Sequence, residues 1–125
     1  MKYRFTIQGK LPGMNEYIKA INGNRYKGNT MKQNAQELIF FHIPREFRNM
    51  QIEGRVWLKY EFYEPNKRRD LDNVAGFAHK VIQDTLVKAG ILKNDGWENI
   101  SGFSDEFYLD RDNPRIAVTI IEDLQ

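Results

Sequence analysis

Residues 67–73, Lys-Arg-Arg-Asp-Leu-Asp-Asn, run three cations directly into two carboxylates one residue apart. In an extended segment residues i and i+2 point the same way, so Asp70 and Asp72 are expected to converge. Converging carboxylates raise each other's proton affinity unless a cation sits between them. Mg²⁺ suits that place, since it takes one or two carboxylates, keeps several waters and accepts phosphate oxygens; Mn²⁺ is its substitute. Lys67, Arg68 and Arg69 would then clamp the phosphates of a polyanion against the metal. The plainer alternatives are a solvated charged loop and aspartates that only cap a helix.

The elements that must position these groups can be read outward from the motif. A helix is expected from about Asp72 to Ala89, stopped by Gly90. On its wheel Val74, Ala78, Val81, Ile82, Thr85, Leu86 and Ala89 form the apolar face. Asn73, Lys80 and Asp84 share a polar stripe rising from the aspartates, although Lys80 and Asp84 also have the i,i+4 spacing of an ordinary surface pair. Such a helix carries the chain about 27 Å from Asp72. Asp95 can therefore join the pair only by returning on another element or by coming from a second subunit, and Asp95-Gly96 is also a good turn. Arg25, Lys27 and Lys32 extend the basic track.

Elsewhere, residues 2–9 alternate as a strand, and residues 53–63 do so more clearly, with Val56, Leu58, Tyr60 and Phe62 on one face. Leu-Pro-Gly-Met-Asn at 11–15 reads as a turn and the Gly- and Asn-rich 20–29 as a basic loop. Thr30 is placed to cap a helix over 31–43, ending near Pro44. Two strands are expected near 99–110 and 115–122. The order strand, helix, strand, helix, strand, strand predicts an α+β class: one domain over residues 1–125, a mixed or antiparallel sheet backed by two helices.

Composition narrows the chemistry. No cysteine is present, which removes disulfides, thiolate zinc and a cysteine nucleophile. His42 and His79 are the only histidines, so a metal site must lean on oxygen. Residues 1–69 carry 14 Lys and Arg against 6 Asp and Glu, whereas residues 70–125 carry 5 against 11. The net change from +8 to −6 falls inside the motif, as suits an enzyme that grips a polyanion and cuts it with carboxylate-bound metal. No apolar run approaches the roughly 20 residues of a membrane span, and a cytoplasmic protein is expected.

Arg68 to Asn73, the run 80–92 (KVIQDTLVKAGIL) and Asn94-Asp95 together resemble the RusA family of Holliday junction resolvases, as does the Leu-Pro-Gly-Met-Asn segment. The resemblance implies a Mg²⁺-dependent endonuclease that resolves four-way DNA junctions by paired symmetric cuts, acting as a homodimer in recombination and repair. It implies Asp70, Asp72 and Asp95 as metal ligands and Lys80 as the essential lysine. Asn73, with the basic residues already named, would meet DNA, and Asp84 is a secondary candidate. One departure is plain: the family lysine follows the second aspartate by four residues, but Lys80 follows Asp72 by eight. Four inserted residues turn a helix by about 40° and lengthen it by about 6 Å.

Competing readings remain. The fold could serve as a non-catalytic nucleic-acid-binding module, or as a nuclease for flaps or forks. In haloacid-dehalogenase phosphatases the Asp-x-Asp motif ends an apolar strand, whereas Pro65-Asn66-Lys67-Arg68-Arg69 precedes it here; glycosyltransferases need a longer chain.

Overall fold

Period-two alternation builds a four-stranded sheet, and a computed structural model describes it over residues 1–123. The strands are β1 (Lys2–Gln8), β2 (Val56–Glu64), β3 (Ile100–Leu109) and β4 (Arg115–Glu122), in spatial order β1-β4-β2-β3. β4 runs antiparallel to both β1 and β2, while β2 and β3 are parallel, so the sheet is mixed. Phe5, Ile7, Leu58, Tyr60, Phe62, Val118 and Ile120 alternate onto one face and are buried there. The other face carries polar pairs such as Arg4–Glu61 at 2.9 Å and Lys59–Glu106 at 3.3 Å.

There are three helices, α1 (Met14–Gly23), α2 (Arg25–His42) and α3 (Leu71–Lys88); α2 and α3 bury residues in the core over the sheet, and α1 packs on those two helices. The class is α+β, as the sequence predicts, but with three helices in place of two. The Gly- and Asn-rich stretch is not a loop. Asn24 is one extended residue between two helices: its N–H closes α1 on the Ala20 carbonyl, and its side chain accepts from Tyr26 N to open α2. Gly28 is there for close approach, since a Cβ would lie 2.7 Å from Ile21 Cγ1. These residues mimic loop composition because a helical corner needs the same types. Likewise the 11–15 segment turns and then enters α1 at Met14, with Glu16 reaching back to Gly13 N at 3.2 Å.

The link from β2 to its parallel neighbour β3 is α3, the crossover that parallel pairing demands. Its apolar face, including Val74, Ala78, Val81, Ile82 and Leu86, is buried as expected. Gly90 ends it at φ +72°, and a Cβ there would come within 2.5 Å of Asn49 Oδ1. The turn at Asn49–Ile52 is sewn to this end by Asn49 N to Ala89 O and Ile52 N to Ile91 O, both 2.9 Å.

Candidate active site

The β2-α3-β3 crossover places the motif. The chain leaves the carboxyl end of β2 at Glu64, passes through the charged loop and enters α3 at Leu71. Asp70 is the N-cap: its Oδ1 accepts from Asn73 N at 2.8 Å, and its backbone is extended. Asp72 lies inside the first helical turn, so the two aspartates do not share an extended segment, and strand-like alternation does not align them. Both instead stand at the helix start, where free N–H groups and the macrodipole favour negative charge. Both are exposed. The site sits outside the carboxyl ends of the parallel strands β2 and β3.

The three cations upstream divide into two roles. Arg69 turns inward: Nε and Nη2 bond Glu64 at 2.9–3.0 Å, Nη1 donates to the Leu11 carbonyl at 3.0 Å, and Glu16 lies 3.9 Å away. Its charge is spent on fixing the loop to β2 and to the 11–15 segment. Lys67 and Arg68 remain exposed, the latter with its N–H turned back to Asn66 Oδ1 at 3.0 Å. Among the described residues these two have no ion-pair partner, and they are the cations free to meet phosphate.

The stripe on α3 is chiefly a packing seam. Asn73 Oδ1 accepts from Asn15 N at 2.8 Å, and a Cβ on Gly13 would lie 2.6 Å from that same oxygen. Met14 packs on Gly76, Tyr17 on Phe77 with ring centroids 4.6 Å apart, and Lys32 on Asp84 at 3.1 Å. Thus Asp84 pairs with Lys32 of α2 rather than with Lys80 of its own helix. Lys80 is exposed and unpaired among the described residues, about 12 Å along the axis from Asp72. At Gly76, four residues after Asp72, a Cβ would lie 3.0 Å from Met14 Cε, the mobile end of that side chain.

Asp95 lies at the other end. In a strand-helix-strand crossover the second loop sits opposite the first, and Asn99 O accepts from Val56 N at the start of β2. Asp95 is exposed in that loop, its N–H held by Asn94 Oδ1 at 2.8 Å. Within one chain it is not brought to Asp70 and Asp72, and no group of three acidic or histidine side chains among the described residues is placed to hold a metal. The donors present still suit Mg²⁺, which needs no more than two carboxylates beside water and phosphate.

Arg25 and Lys27 are exposed at the start of α2. Lys27 and Lys10, the latter missed in the sequence, line a cleft of about 450 Å³ with Tyr26 beside the Leu11-Pro12 segment. Also missed was a pair between α3 and β3: His79 Nε2 lies 2.7 Å from Asp105 Oδ1, with Phe103 and Tyr60 rings at 4.5 and 4.8 Å. Tyr60 receives Gln83 Nε2 at 3.2 Å; burial pushes its phenol well above the usual range, the Asp105 charge adds to that rise and the Gln83 bond opposes it. Only the parallel pairing of β3 beside β2 brings Asp105 under α3, and no local signal announces it. Two lone residues 26 positions apart gave no motif to read.

No protein-family model matches the chain, and no curated protein matches it significantly. No helix among the described residues is long and apolar enough to cross a membrane.

Proposed function

We propose that this protein is a Mg²⁺-dependent endonuclease for branched DNA, a Holliday junction resolvase of the RusA kind, working in the cytoplasm as a homodimer. The observation that carries the reading is the placement of Asp70 and Asp72 at the start of α3, at the carboxyl ends of β2 and β3, with Lys67 and Arg68 exposed immediately before them. Arg69 and Asn73 support it by fixing the frame: one locks the basic loop to β2, the other locks α1 to α3.

Asp70 and Asp72 would hold the ion, which when bound activates water and offsets charge on the phosphate. Lys67 and Arg68 would seat the backbone phosphates of the strand to be cut. Lys80 would reach a phosphate further along the duplex, and Arg25, Lys27 and Lys32 would flank the path. Hydrolysis adds water across one phosphodiester P–O bond per site, giving one phosphate and one hydroxyl end. Two sites related by a dyad suit paired cuts in a four-way junction. A dimer is also the route by which Asp95 could join an aspartate pair, the pair then belonging to the other copy.

A non-catalytic DNA-binding module is the second reading, favoured by Asp70 serving as a helix cap. Incubating a synthetic four-way junction and a linear duplex with the protein, with and without Mg²⁺, separates the two. Paired nicks near the branch support the resolvase; tight junction binding without nicks supports the module.

A further inference from the structure

Directly beside Asp70 lies a cleft of about 380 Å³, bounded by Leu71 and Val74 of α3, Phe107 and Leu109 of β3, and Asn66 and Lys67 of the charged loop. Its walls are apolar and in part uncovered: Leu71 and Leu109 are each 56% exposed. Phe107 is fixed in place by stacking on Phe62, with centroids 5.3 Å apart and planes 14° from parallel. The mouth is polar. Glu64, the one acidic residue there besides Asp70, is neutralised by three hydrogen bonds from Arg69. Lys67 is left as an uncompensated cation, and Asn66, whose oxygen is taken by Arg68 N, keeps its amide N–H groups free to donate.

An apolar cleft with a free cation and an amide donor beside it suits a nucleotide, whose base is apolar on its faces, whose edge carries acceptors and whose phosphate is anionic. We propose that this cleft takes one unstacked nucleobase of the strand held at Asp70 and Asp72, with Lys67 on its phosphate and Asn66 reading its edge. The proposal rests on the nuclease reading for its neighbour, and it makes this cleft the determinant of where along a branched DNA the strand is placed. Extrusion costs least for a base that has already lost its pair, so a branch point opened by the protein is where the cleft would be filled most readily.

The test uses the full chain and a four-way junction carrying one abasic site, stepped through the positions around the branch. Binding is measured in Ca²⁺ and cutting in Mg²⁺. The expected result is one position at which base removal weakens binding about tenfold. That sensitivity should disappear in Leu109→Trp, which fills the cleft from an exposed position; Leu71→Trp serves as the second variant if the first fails to fold. Equal affinity at every abasic position would overturn the proposal, as would a sensitivity that both filled-cleft variants retain. Conversion of a dimer to a monomer by Leu109→Trp would also overturn it, assigning the cleft to a side chain of a second copy. A failure of the nuclease reading shows separately, as absent cutting in Mg²⁺ with the positional binding signature intact.

Discussion

The side-chain oxygen of Asn73 accepts a hydrogen bond from the backbone N–H of Asn15 at 2.8 Å, joining two segments 58 positions apart. The residue that follows the aspartate motif therefore caps α1, and Gly13 is kept without a side chain so that the oxygen can approach. Asn73→Ala should lower stability by about 1 kcal/mol, the cost of a lost cap whose N–H water can then reach. Gly13→Ala should cost a similar amount through collision with the same oxygen. Urea unfolding of the single and double variants checks this. The two losses should fall short of additive, because both act on one contact.

Arg69 and its neighbours should separate by phenotype. Arg69→Ala leaves Glu64, with its side chain 13% exposed, without its partner, and should destabilise by about 2 kcal/mol or more. Lys67→Ala and Arg68→Ala should leave the unfolding midpoint unchanged. Each should instead weaken DNA binding and reduce the slope of log affinity against log salt by about one. Titrations at several salt concentrations, beside thermal melts, measure both.

Lys80→Ala should melt with the wild type, because Lys80 has no partner among the described residues. Single-turnover cutting at subsaturating protein should fall about tenfold, through loss of the phosphate contact that Lys80 makes further along the duplex. Asp84→Asn, by contrast, should act on stability through Lys32, since that pair joins α2 to α3 at 3.1 Å. Single-turnover cutting rates and melts of both variants distinguish the roles.

The acid limb of stability has named contributors. The Tyr108 and Lys59 hydrogen bonds hold the Glu106 carboxyl below its usual range, and the Arg115 hydrogen bond does the same for Asp110. A carboxyl lowered on folding stabilises above its unfolded pKa of about 4, and that contribution is lost as pH falls through the folded value. Stability should therefore decline below about pH 4, and less steeply in Glu106→Gln and Asp110→Asn. At the other extreme Tyr108, pushed up to about 12 by the Glu106 hydrogen bond, favours the fold below about pH 10 and loses that effect as pH rises toward 12. Ultraviolet titration of tyrosinate should show two late components, Tyr108 and the buried Tyr60, of which Glu106→Gln removes only the first.

How far the sequence reveals this structure depends on the range of the interaction concerned. The strands and α3 are legible because alternation and 3.6-residue spacing are local: Leu58, Tyr60 and Phe62, like Val81 and Ile82, are buried where the pattern puts them. The α1–α2 corner is not, because Asn24, Gly28 and their neighbours carry loop composition while serving a cap and a close contact. That one omission hides the purpose of the α3 stripe. With α1 and α2 in place, Asn73, Phe77 and Asp84 become partners of Asn15, Tyr17 and Lys32. The inward turn of Arg69 and the His79–Asp105 pair were equally out of reach, since each depends on strands or segments brought together from afar. Asp70, Asp72, Lys67 and Arg68 are exposed, but the extended segment expected to align the two aspartates is a helix start instead.

Asp72→Asn in the junction assay tests the central claim most directly. Wild-type protein in Mg²⁺ should give paired nicks near the branch and none after chelation, and Asp72→Asn, still folded and junction-bound, should cut at least about a hundredfold more slowly. Undiminished cutting by Asp72→Asn, or equal cutting of linear duplex, would contradict it.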